Sequence, residues 1–579
     1  MSRDDGFRVR PGRIRSRVDQ RARPFISQAL AAAQQAGGHI SRKGRIISPR
    51  ASTFGRGRSE SIRADRLVTS RSRAAVIKAR VVRQFRGSTP LIAHLKYLRR
   101  EGVTRDDEKA KMFGPDTDDA EHDAFAERCK DDRHHFRFIV SPDDAHELGD
   151  LKAFARDLMV DMQRDLGTKL DWVGIDHWNT EHPHIHILVR GVADDGQNLV
   201  ISRDYIRQGI RDRAGDILTQ TLGPRTDHDI RRTIVQQIGT ERWTQLDRQL
   251  VRDSDRDGII DLAPRPDRQP DEFIALKVGR LRKLENLGLT NEVGPGQWIM
   301  ADDAEATLRA LGERGDIIKR MHRSLAGHRI DRPAASFVLG GEKIDTPVIG
   351  RLLDRGLDDE LHGSAYAVVD GLDGRIHHIR FRDLEATGDS VPGSMVELRH
   401  YADLKGHERV ALAVRSDLSI EEQVRAGGAT WLDRQLVAQN PVECGEGGFG
   451  RDVKQALQDR TDHLVEQGFA RREGQRTIFA RNLIDTLRSS EVDALAARLA
   501  GKTGLPFTKP APGSQVSGIY RQRFSLASGR FAMIDDGLGF QLVPWSPSVE
   551  RHLGKHISGI AYAGGRVDWT FGKERALGL

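Results

Sequence analysis

Between residues 134 and 222, the spacing of apolar positions changes in an order typical of a small α/β unit. Apolar residues form short strand-like runs in three segments and recur at helical spacing in two others. The predicted order is strand, helix, strand, strand and helix, at residues 135–140, 144–166, 172–176, 184–189 and 202–222. This order favours an α+β class, in which helices cover one face of an antiparallel sheet, as in ferredoxin-like units.

The chain ahead of this block divides into two parts. Leu91, Leu95 and Leu98 recur at helical spacing after a proline, which predicts a short helix. Residues 1–88 are instead rich in Arg, Ser and Gly. We therefore expect a basic, largely disordered arm over residues 1–88 and a core domain over residues 89–225.

An internal repeat occupies the C-terminal half. The hexapeptide LDRQLV occurs at residues 246–251 and again at 432–437, each time close to an upstream tryptophan. In each copy a glycine turn, a short β-like stretch and a further helical pattern follow, in an order that resembles a winged helix. A glycine-containing β-like segment comes after each copy. The expected domains are winged-helix-like units at 226–325 and 416–505 and small β-rich units at 326–415 and 506–579.

The composition excludes several classes of protein. The 579 residues are 38% hydrophobic and 30% charged, which is typical of a globular chain with polar segments. No run approaches the roughly 18 uncharged apolar residues of a membrane span, and the arginine-rich N-terminus lacks the apolar stretch of a secretory signal. Two cysteines, Cys129 and Cys444, provide neither a disulfide framework nor a multi-cysteine zinc site. A reducing, cytoplasmic setting is expected.

Charge is distributed unevenly along the chain. Of the formal net charge of +8, residues 1–90 contribute +17, from 22 Lys and Arg against 5 Asp and Glu, and the remaining residues carry −9. A basic arm on an acidic body suits a polyanion, most simply a nucleic acid, through phosphate contacts and counterion release. The alternative is a solvated tail that binds nothing in particular.

Candidate metal chemistry is concentrated in the sequence HWNTEHPHIH at residues 177–186. Strand alternation places His184 and His186 on one face and the isoleucines beside them on the other. His177 ends the preceding strand-like run and reaches the same point if the two strands pair as a hairpin. Three neutral imidazoles with open positions are the usual arrangement of a catalytic metal site, where the ion polarises a scissile bond.

The HxH pair alone has other interpretations. Cupins and amidohydrolases also use it, but no carboxylate follows closely after His186 and no barrel repeat is visible. Four histidines within ten residues can also form a surface cluster with incidental metal affinity.

A nucleophile is expected beside such a metal, and the chain has six tyrosines. Tyr97 lies off the leucine stripe of its predicted helix, and a phenol that attacks a phosphodiester leaves a covalent phosphotyrosine, which conserves bond energy for rejoining. A surface tyrosine without a catalytic role fits the pattern equally well. Tyr205, among isoleucines of a later helix, favours packing. Basic residues that flank Tyr97 and suit a phosphate are Lys96, Arg99 and Arg100.

These elements, in this order, resemble the conjugative relaxases of the VirD2-like class, which belong to the HUH (His-hydrophobe-His) nucleases. The resemblance rests on a Tyr-Leu-x-Arg-type helix, a strand that ends in Ser-Pro, and the three-histidine motif. The strings HHFRFIVSPDD, DWVGIDHWNTEHPHIHILVRG and SRDYIRQGIRDRAGDILTQTLGPR are especially similar to a branch with a long C-terminal extension of uncertain role. The nuclease core covers roughly residues 90–225, and residues 226–579 resemble the extension.

The resemblance implies a role for individual residues. Tyr97 corresponds to the nucleophile, while His177, His184 and His186 correspond to the metal ligands. Ser141 lies near the position of a second motif that touches DNA beside the nick, and the basic residues around Tyr97 are expected to bind DNA as well.

Four further residues are candidates to assist this site. Asp176 ranks ahead of Glu181 as the group that orients an imidazole or accepts the phenol proton. His182 can support a ligand or act as one. Asn179 stands where related motifs often have aspartate, so a supporting carboxylate is absent at that position.

The implied activity is a site- and strand-specific nick at an origin of transfer, which leaves a 5′-phosphotyrosine link and starts conjugation through a type IV secretion channel. The implied cofactor is a divalent metal ion, Mg²⁺ or Mn²⁺ in this family, although three imidazoles favour later transition metals. The implied partners are single-stranded and supercoiled DNA, a type IV coupling protein and accessory relaxosome proteins, with no membrane insertion. The implied location is the bacterial cytoplasm, followed by translocation with the DNA.

Three other functions compete with this interpretation. A rolling-circle replication initiator uses the same chemistry, often with its tyrosine C-terminal to the histidines, whereas Tyr97 lies 80 residues upstream of His177. A non-enzymatic DNA-binding regulator would require the HUH site to be vestigial. A metal-dependent hydrolase of small substrates explains neither the basic arm nor the missing carboxylate ligands.

Overall fold

The computed structural model describes residues 39–40, 46–47, 71–84, 91–99, 110–178, 182–263, 273–339, 348–402, 406–562 and 566–571. The chain divides into two compact units, Met1–Glu313 and Arg314–Leu579. Ahead of residue 71, His39–Ile40 (β1) pairs with Ile46–Ile47 (β2). Across the described ranges, no helix combines the length and the apolarity needed to cross a bilayer.

A four-stranded antiparallel sheet forms the centre of the first unit. Its strands are Ala75–Arg83 (β3), His134–Pro142 (β4), Trp172–His177 (β5) and His184–Arg190 (β6). Their order across the sheet is β3-β4-β6-β5. Strands β4, β5 and β6 confirm the three strand-like runs predicted from the sequence.

The edge strand β3 corrects the predicted boundary of the basic arm. It lies inside residues 1–88, where the sequence predicted disorder, and pairs with β4 along its whole length. Its inward residues Ala75 and Ile77 are buried, and Arg73 ahead of it is buried in an ion pair with Asp144. Alternation between buried and exposed positions is regular only at the start of the strand, and the basic residues Lys78, Arg80 and Arg83 make the segment resemble the rest of the arginine-rich arm. The folded core therefore begins near residue 71.

Helices cover both faces of this sheet, whereas the sequence predicted one covered face. One apolar cluster joins three helices to Phe138, Ile185 and Ile187. A second cluster joins two others to Val173 and Ile175 on the opposite face. The helices are Leu91–Leu98 (α1) and His122–Arg128 (α2) on this second face, and Ala145–Leu148 (α3), Leu151–Leu166 (α4) and Ile210–Leu222 (α5) on the first, with a π-helical turn at Tyr205–Gly209 before α5.

The single helix predicted over residues 144–166 is broken into α3 and α4. Gly149 between them has a φ of 78°, in a region that favours glycine. Asp150 then caps α4, because its carboxylate accepts hydrogen bonds from the main-chain N–H groups of Lys152 and Ala153. Gly167 ends α4 in the left-handed conformation.

The first unit continues with a helical region and a small sheet. Ile259–Asp261 (β7) pairs with the second strand of a hairpin, which therefore lies in the middle of a three-stranded sheet. The elements are Asp227–Ile238 (α6), Gln245–Asp253 (α7), Ile274–Asn286 (α8), Thr290–Gly294 (β8), Gln297–Met300 (β9) and Ala304–Gly327 (α9).

The second unit begins with a six-stranded sheet. Its order is β10-β13-β12-β11-β14-β15, in which β10 is parallel to β13 and the other pairs are antiparallel. The strands are Phe337–Val338 (β10), Ile349–Asp359 (β11), Ser364–Gly371 (β12), Ile376–Phe381 (β13), Met395–Ala402 (β14) and Glu408–Ser416 (β15), with short 3₁₀ helices at Ala334–Ser336 and Glu385–Thr387.

A second helical region and a second sheet follow. The helical region contains Ile420–Arg425 (α10), Trp431–Leu436 (α11), Gly448–Glu466 (α12), the hairpin Ala470–Glu473 (β16) and Arg476–Phe479 (β17), and Leu483–Thr503 (α13). The sheet has the order β20-β19-β18-β21-β22, and consists of Gln515–Leu526 (β18), Gly529–Asp535 (β19), Phe540–Pro544 (β20), His556–Ala561 (β21) and Val567–Thr570 (β22), with the short helix Pro547–Glu550 (α14) between β20 and β21.

The LDRQLV repeat has the same structural role in both helical regions. Its aspartate accepts a hydrogen bond from the main-chain N–H of the threonine that caps the helix, and it also pairs with a buried arginine from the next helix. Arg280 lies 2.7 Å from Asp247, and Arg460 lies 2.8 Å from Asp433. The mixed α/β architecture with antiparallel sheets is compatible with the predicted α+β class. That the helical regions are winged-helix units stays a prediction.

Candidate metal and tyrosine site

The hairpin of β5 and β6 brings the three histidines together. His177 is the register partner of His184, and His186 follows two residues later on the same face of β6. The ring centroids of His177 and His186 are 4.6 Å apart, those of His184 and His186 are 5.0 Å apart, and those of His177 and His184 are 5.4 Å apart. One nitrogen from each ring lies within 4.8 Å of the others. The cluster is therefore close enough to hold a single ion.

Main-chain carbonyls orient two of the rings. The Nε2 of His177 lies 3.0 Å from the carbonyl oxygen of Leu98, and the Nδ1 of His184 lies 3.0 Å from the carbonyl oxygen of His182. Since a carbonyl only accepts, each of these nitrogens carries the proton. The lone pair of a neutral ring is then on Nδ1 of His177 and on Nε2 of His184. Such contacts fix the tautomer and the direction of a ligating imidazole.

The donor set fits a divalent metal ion. The Nε2 atoms of His184 and His186 are 3.2 Å apart. Two nitrogen ligands bound to one ion at about 2.0–2.1 Å with tetrahedral angles would be separated by about 3.3 Å. His177 and His186 are buried while His184 is half-buried, so the cluster has one accessible side. Three nitrogens leave coordination positions for a substrate oxygen.

The end of α1 lies directly against this cluster. The Leu98 carbonyl that accepts from His177 belongs to the last residue of the helix, where carbonyl groups have no intrahelical partner. Tyr97, the residue before it, is half-buried and packs against the apolar cluster of this face. Leu91, Leu95 and Leu98 are buried, as their spacing predicted. The helix that carries the candidate nucleophile is thus joined to a candidate metal ligand.

The structure describes some, but not all, of the residues that we expected to contact DNA. The guanidinium of Arg99 contacts the imidazole of His122 on α2, 2.5 Å from its Nδ1. Ser141 donates a hydrogen bond of 3.2 Å to the carbonyl of Pro183, and so holds the residue that directly precedes His184 and β6. Arg100 and the side chain of Lys96 lie outside the described part of the chain.

The structure does not bring Asp176 to the histidines. Successive strand residues point to opposite faces of a sheet, so Asp176 and His177 on β5 face different layers. The Asp176 carboxylate instead accepts a 2.6 Å hydrogen bond from the indole of Trp178. His182 contributes to the site through its main-chain carbonyl. Asn179 and Glu181 lie outside the described residues.

Tyr205 has a packing role. It is fully buried, and its hydroxyl donates a 2.7 Å hydrogen bond to Asp165, which also pairs with Arg213. Burial and the neighbouring Asp165 carboxylate raise the pKa of Tyr205 above its ordinary value. Its ring lies over Gly209, where a Cβ atom would be only 2.3 Å from the ring. A phenol held in this way is not available to attack a substrate.

The two carbonyls that orient the histidines are the functional groups that the sequence did not reveal. Any residue type can supply a carbonyl, so no side-chain pattern marks Leu98 or His182 for this task. Only the path of the chain identifies them.

Comparison with known proteins gives two family matches. The family of MobA/VirD2-like relaxase nuclease domains matches residues 111–214, which contain β4 to β6 and all three histidines. The family described as a protein of unknown function, DUF3363, matches residues 277–406 and 399–578, slightly more than half of the chain. Tyr97 lies ahead of the first match. Neither a curated protein nor a solved structure matches the chain.

Proposed function

We propose that this chain, which belongs to the DUF3363 family and matches MobA/VirD2-like relaxase nuclease domains over residues 111–214, nicks one DNA strand at a specific site, an origin of transfer, and so initiates conjugative transfer. A nucleic-acid nicking function follows from the family. The observation that carries the finer proposal is the hydrogen bond between His177 and the Leu98 carbonyl, since it joins the helix of Tyr97 to the histidine cluster.

The proposed chemistry is a transesterification by Tyr97. The phenolic oxygen bonds to phosphorus, and the bond between phosphorus and the 3′ oxygen breaks. The phenol loses its proton, and the 3′ oxygen takes up a proton and leaves as a hydroxyl. The 5′ phosphate stays on Tyr97, and attack by a 3′ hydroxyl reverses the reaction without another energy source. A divalent ion held by His177, His184 and His186 would act as a Lewis acid on the scissile phosphate.

The chain's own residues prepare this reaction. The Leu98 and His182 carbonyls keep a lone pair of His177 and of His184 directed into the cluster. Ser141 holds the Pro183 carbonyl at the start of β6, close to the accessible side at His184. Because Asp176 is on the other face, we do not assign it the phenol proton.

The remaining parts of the proposal concern partners and location. The +17 charge of residues 1–90 is suited to hold DNA through its phosphates. The partners proposed from the family resemblance are a type IV coupling protein and accessory relaxosome proteins. The proposed location is the cytoplasm of a bacterial donor, followed by passage into a recipient with the attached strand.

The test is the formation of a covalent protein–DNA adduct. The full-length protein is incubated with Mn²⁺ or Mg²⁺ and with single-stranded oligonucleotides that tile the DNA flanking its own gene, and denaturing gels report the adduct. We expect one tile to give a metal-dependent adduct that is lost in Tyr97→Phe, which removes only the attacking hydroxyl. Tyr205→Phe is the matched control and should retain the adduct.

Two results would contradict the proposal. An adduct that persists in Tyr97→Phe assigns the nucleophile elsewhere. Absence of any adduct from protein that binds both metal and DNA removes support for nicking at a site near its gene and favours a DNA-binding regulator.

A further inference from the structure

The second unit contains a cleft of about 1000 Å³ that is rich in arginines and aromatic rings. Its volume is at the upper end of the roughly 300–1,000 Å³ that is usual for ligand sites. Five arginines and three tryptophans line it, against Asp568 as the acidic residue among the lining side chains. Nothing in the relaxase reaction described above uses this cleft.

Three of the arginines have charges that the described residues do not neutralise at close range. Within the described residues, Arg434 and Arg566 have no carboxylate within ion-pair distance, and Arg434 donates to the main-chain carbonyl of Ser528 at 2.9 Å. Arg488 reaches only Asp485, at 3.9 Å. Burial, and then the charge of Arg488, lower the pKa of Arg434. An anion in the cleft would relieve this repulsion.

The other two arginines belong to the walls of the cleft. Arg530 pairs with Asp417 and Asp389 at 2.5 Å and 2.6 Å, and Arg415 pairs with Glu397 at 2.6 Å. Their charges are therefore already compensated. The free positive charge of the cleft comes from Arg434, Arg488 and Arg566.

Two tryptophans present fixed aromatic surfaces. Trp569 is half-buried and is the register partner of Gly559, where a Cβ atom would be 3.1 Å from the indole. Trp545 is half-buried, its indole N–H donates to Glu550 at 2.7 Å, and the guanidinium of Arg523 lies 4.9 Å from its ring. Aromatic faces beside arginines are the combination that binds stacked bases and phosphates of single strands.

The position of the cleft in the sheet supports the same ligand. When the strands β18 to β22 are numbered first to fifth along the chain, their order across the sheet is third, second, first, fourth, fifth. The short helix α14 lies in the chain between the third and the fourth strand. Ser528 lies in the loop between the first two strands, Phe531 and Pro544 lie on the second and third, and Arg566 precedes the fifth. In OB-folds, oligonucleotides bind across the second and third strands and the loops 1–2 and 4–5.

We propose that this cleft is a single-stranded DNA site, with phosphates on Arg434, Arg488 and Arg566 and bases against Trp545 and Trp569. Unpaired bases are required, because the faces of bases within a duplex are covered by their neighbours. The site goes beyond the nicking reaction, since it involves neither Tyr97 nor the histidines.

The experiment maps photocrosslinks in the full-length Tyr97→Phe protein. A single-stranded oligonucleotide containing 5-iododeoxyuridine is irradiated with the protein in EDTA, and crosslinked peptides are identified by mass spectrometry. We expect crosslinks in the peptides of Trp545 and Trp569. Changing Arg434→Gln together with Arg566→Gln should reduce them about tenfold or more, as expected for lost phosphate contacts. Arg566→Gln alone, at an exposed position, should reduce them without any effect on folding.

Arg498→Gln is the matched control, because Arg498 is exposed on α13, the helix of Arg488, and does not line the cleft. It should leave the crosslinks unchanged. Unlabelled single strands should compete, whereas duplex of the same sequence and free thymidine monophosphate should not.

The proposal is overturned if crosslinks occur only within residues 71–225, if Arg498→Gln removes them as strongly as the cleft variants do, or if duplex or mononucleotide competes equally well. Because the assay uses Tyr97→Phe without metal, it is independent of nicking. Failure to form an adduct in the earlier test and failure to crosslink in the cleft are therefore separate results.

Discussion

At the scale of single residues, two carbonyl groups determine how the histidine cluster can act. Leu98 and His182 accept from His177 and His184 and so select the nitrogen of each ring that carries the lone pair. His186 then supplies the nitrogen nearest to His184. The cluster depends on imidazole side chains for its donors and on the main chain for their direction.

His184 contributes its side chain to the cluster, whereas His182 contributes its main-chain carbonyl, so substitutions at the two positions should have different effects. Changing His184→Ala removes a donor nitrogen, so we expect the affinity for Mn²⁺ to fall by about tenfold or more. His182→Ala keeps the carbonyl that orients His184, so we expect an affinity within about twofold of the wild type. Isothermal titration calorimetry of the full-length protein measures both. Equal losses in the two variants would show that the His182 side chain is a ligand.

A second residue-scale prediction concerns His135 on β4. Burial and then the charge of Arg137 lower the pKa of His135 to about 3, against about 6.5 in an unfolded chain. Between these values the unfolded chain binds a proton that the native imidazole does not, so stability is lost as the pH falls below about 6.5. At pH 5 the loss amounts to about 2 kcal/mol.

The variant His135→Gln keeps an acceptor for Arg137 but does not titrate. Its unfolding free energy, measured in urea at pH 7 and at pH 5, should therefore fall less than that of the wild type over this interval. Parallel losses in the two proteins would mean that other groups cause the acid sensitivity.

At the scale of elements, the buried ion pairs explain what the repeated hexapeptide does. Arg280 donates to both carboxylate oxygens of Asp247 and also to the main-chain carbonyls of Ile238, Thr240 and Arg242. Arg460 makes the corresponding set of contacts in the second copy. Each arginine thus joins its own helix to the helix that carries the aspartate and to the segment that precedes that helix.

Removing one partner leaves a buried charge without compensation. We expect Arg280→Ala to lower the unfolding free energy by about 3–5 kcal/mol, and Arg460→Ala to have an effect of similar size in the second copy. Arg282→Ala, an exposed change on the same helix as Arg280, should alter it by less than about 0.5 kcal/mol. Urea unfolding followed by tryptophan fluorescence compares the three. A small effect of Arg280→Ala would contradict a structural role for the pair.

At the scale of the whole molecule, the basic arm and the folded core can be separated by deletion. Deleting residues 1–70 keeps Arg73 and β3, so we expect an unchanged melting temperature. The same deletion removes much of the +17 charge, so DNA binding should weaken and depend less steeply on salt. Deleting residues 1–88 also removes Ala75 and Ile77 from the apolar core and should lower the melting temperature.

Thermal unfolding and DNA-binding titrations at several salt concentrations check these outcomes. If both deletions melt like the full chain, β3 contributes nothing to the core. If the salt dependence of binding stays the same without residues 1–70, the arm is a solvated tail.

Much of the core and of the histidine site could be predicted because both follow from local periods. Alternation along β6 determines that His184 and His186 share a face, and the leucine spacing of α1 determines its buried side. The same alternation along β5 already separates Asp176 from His177, so that candidate could have been excluded from the sequence. Periods of two and 3.6 depend only on backbone geometry, which acts between near neighbours.

Only the tertiary structure decided which distant parts meet. The contact between His177 and Leu98 joins residues 79 positions apart. The segment β3 forms a strand because it pairs with β4 along its whole length. The arginines and tryptophans of the cleft also come from segments far apart in the chain. Such contacts depend on the path of the backbone and on burial against the rest of the molecule, which no local pattern of side chains contains.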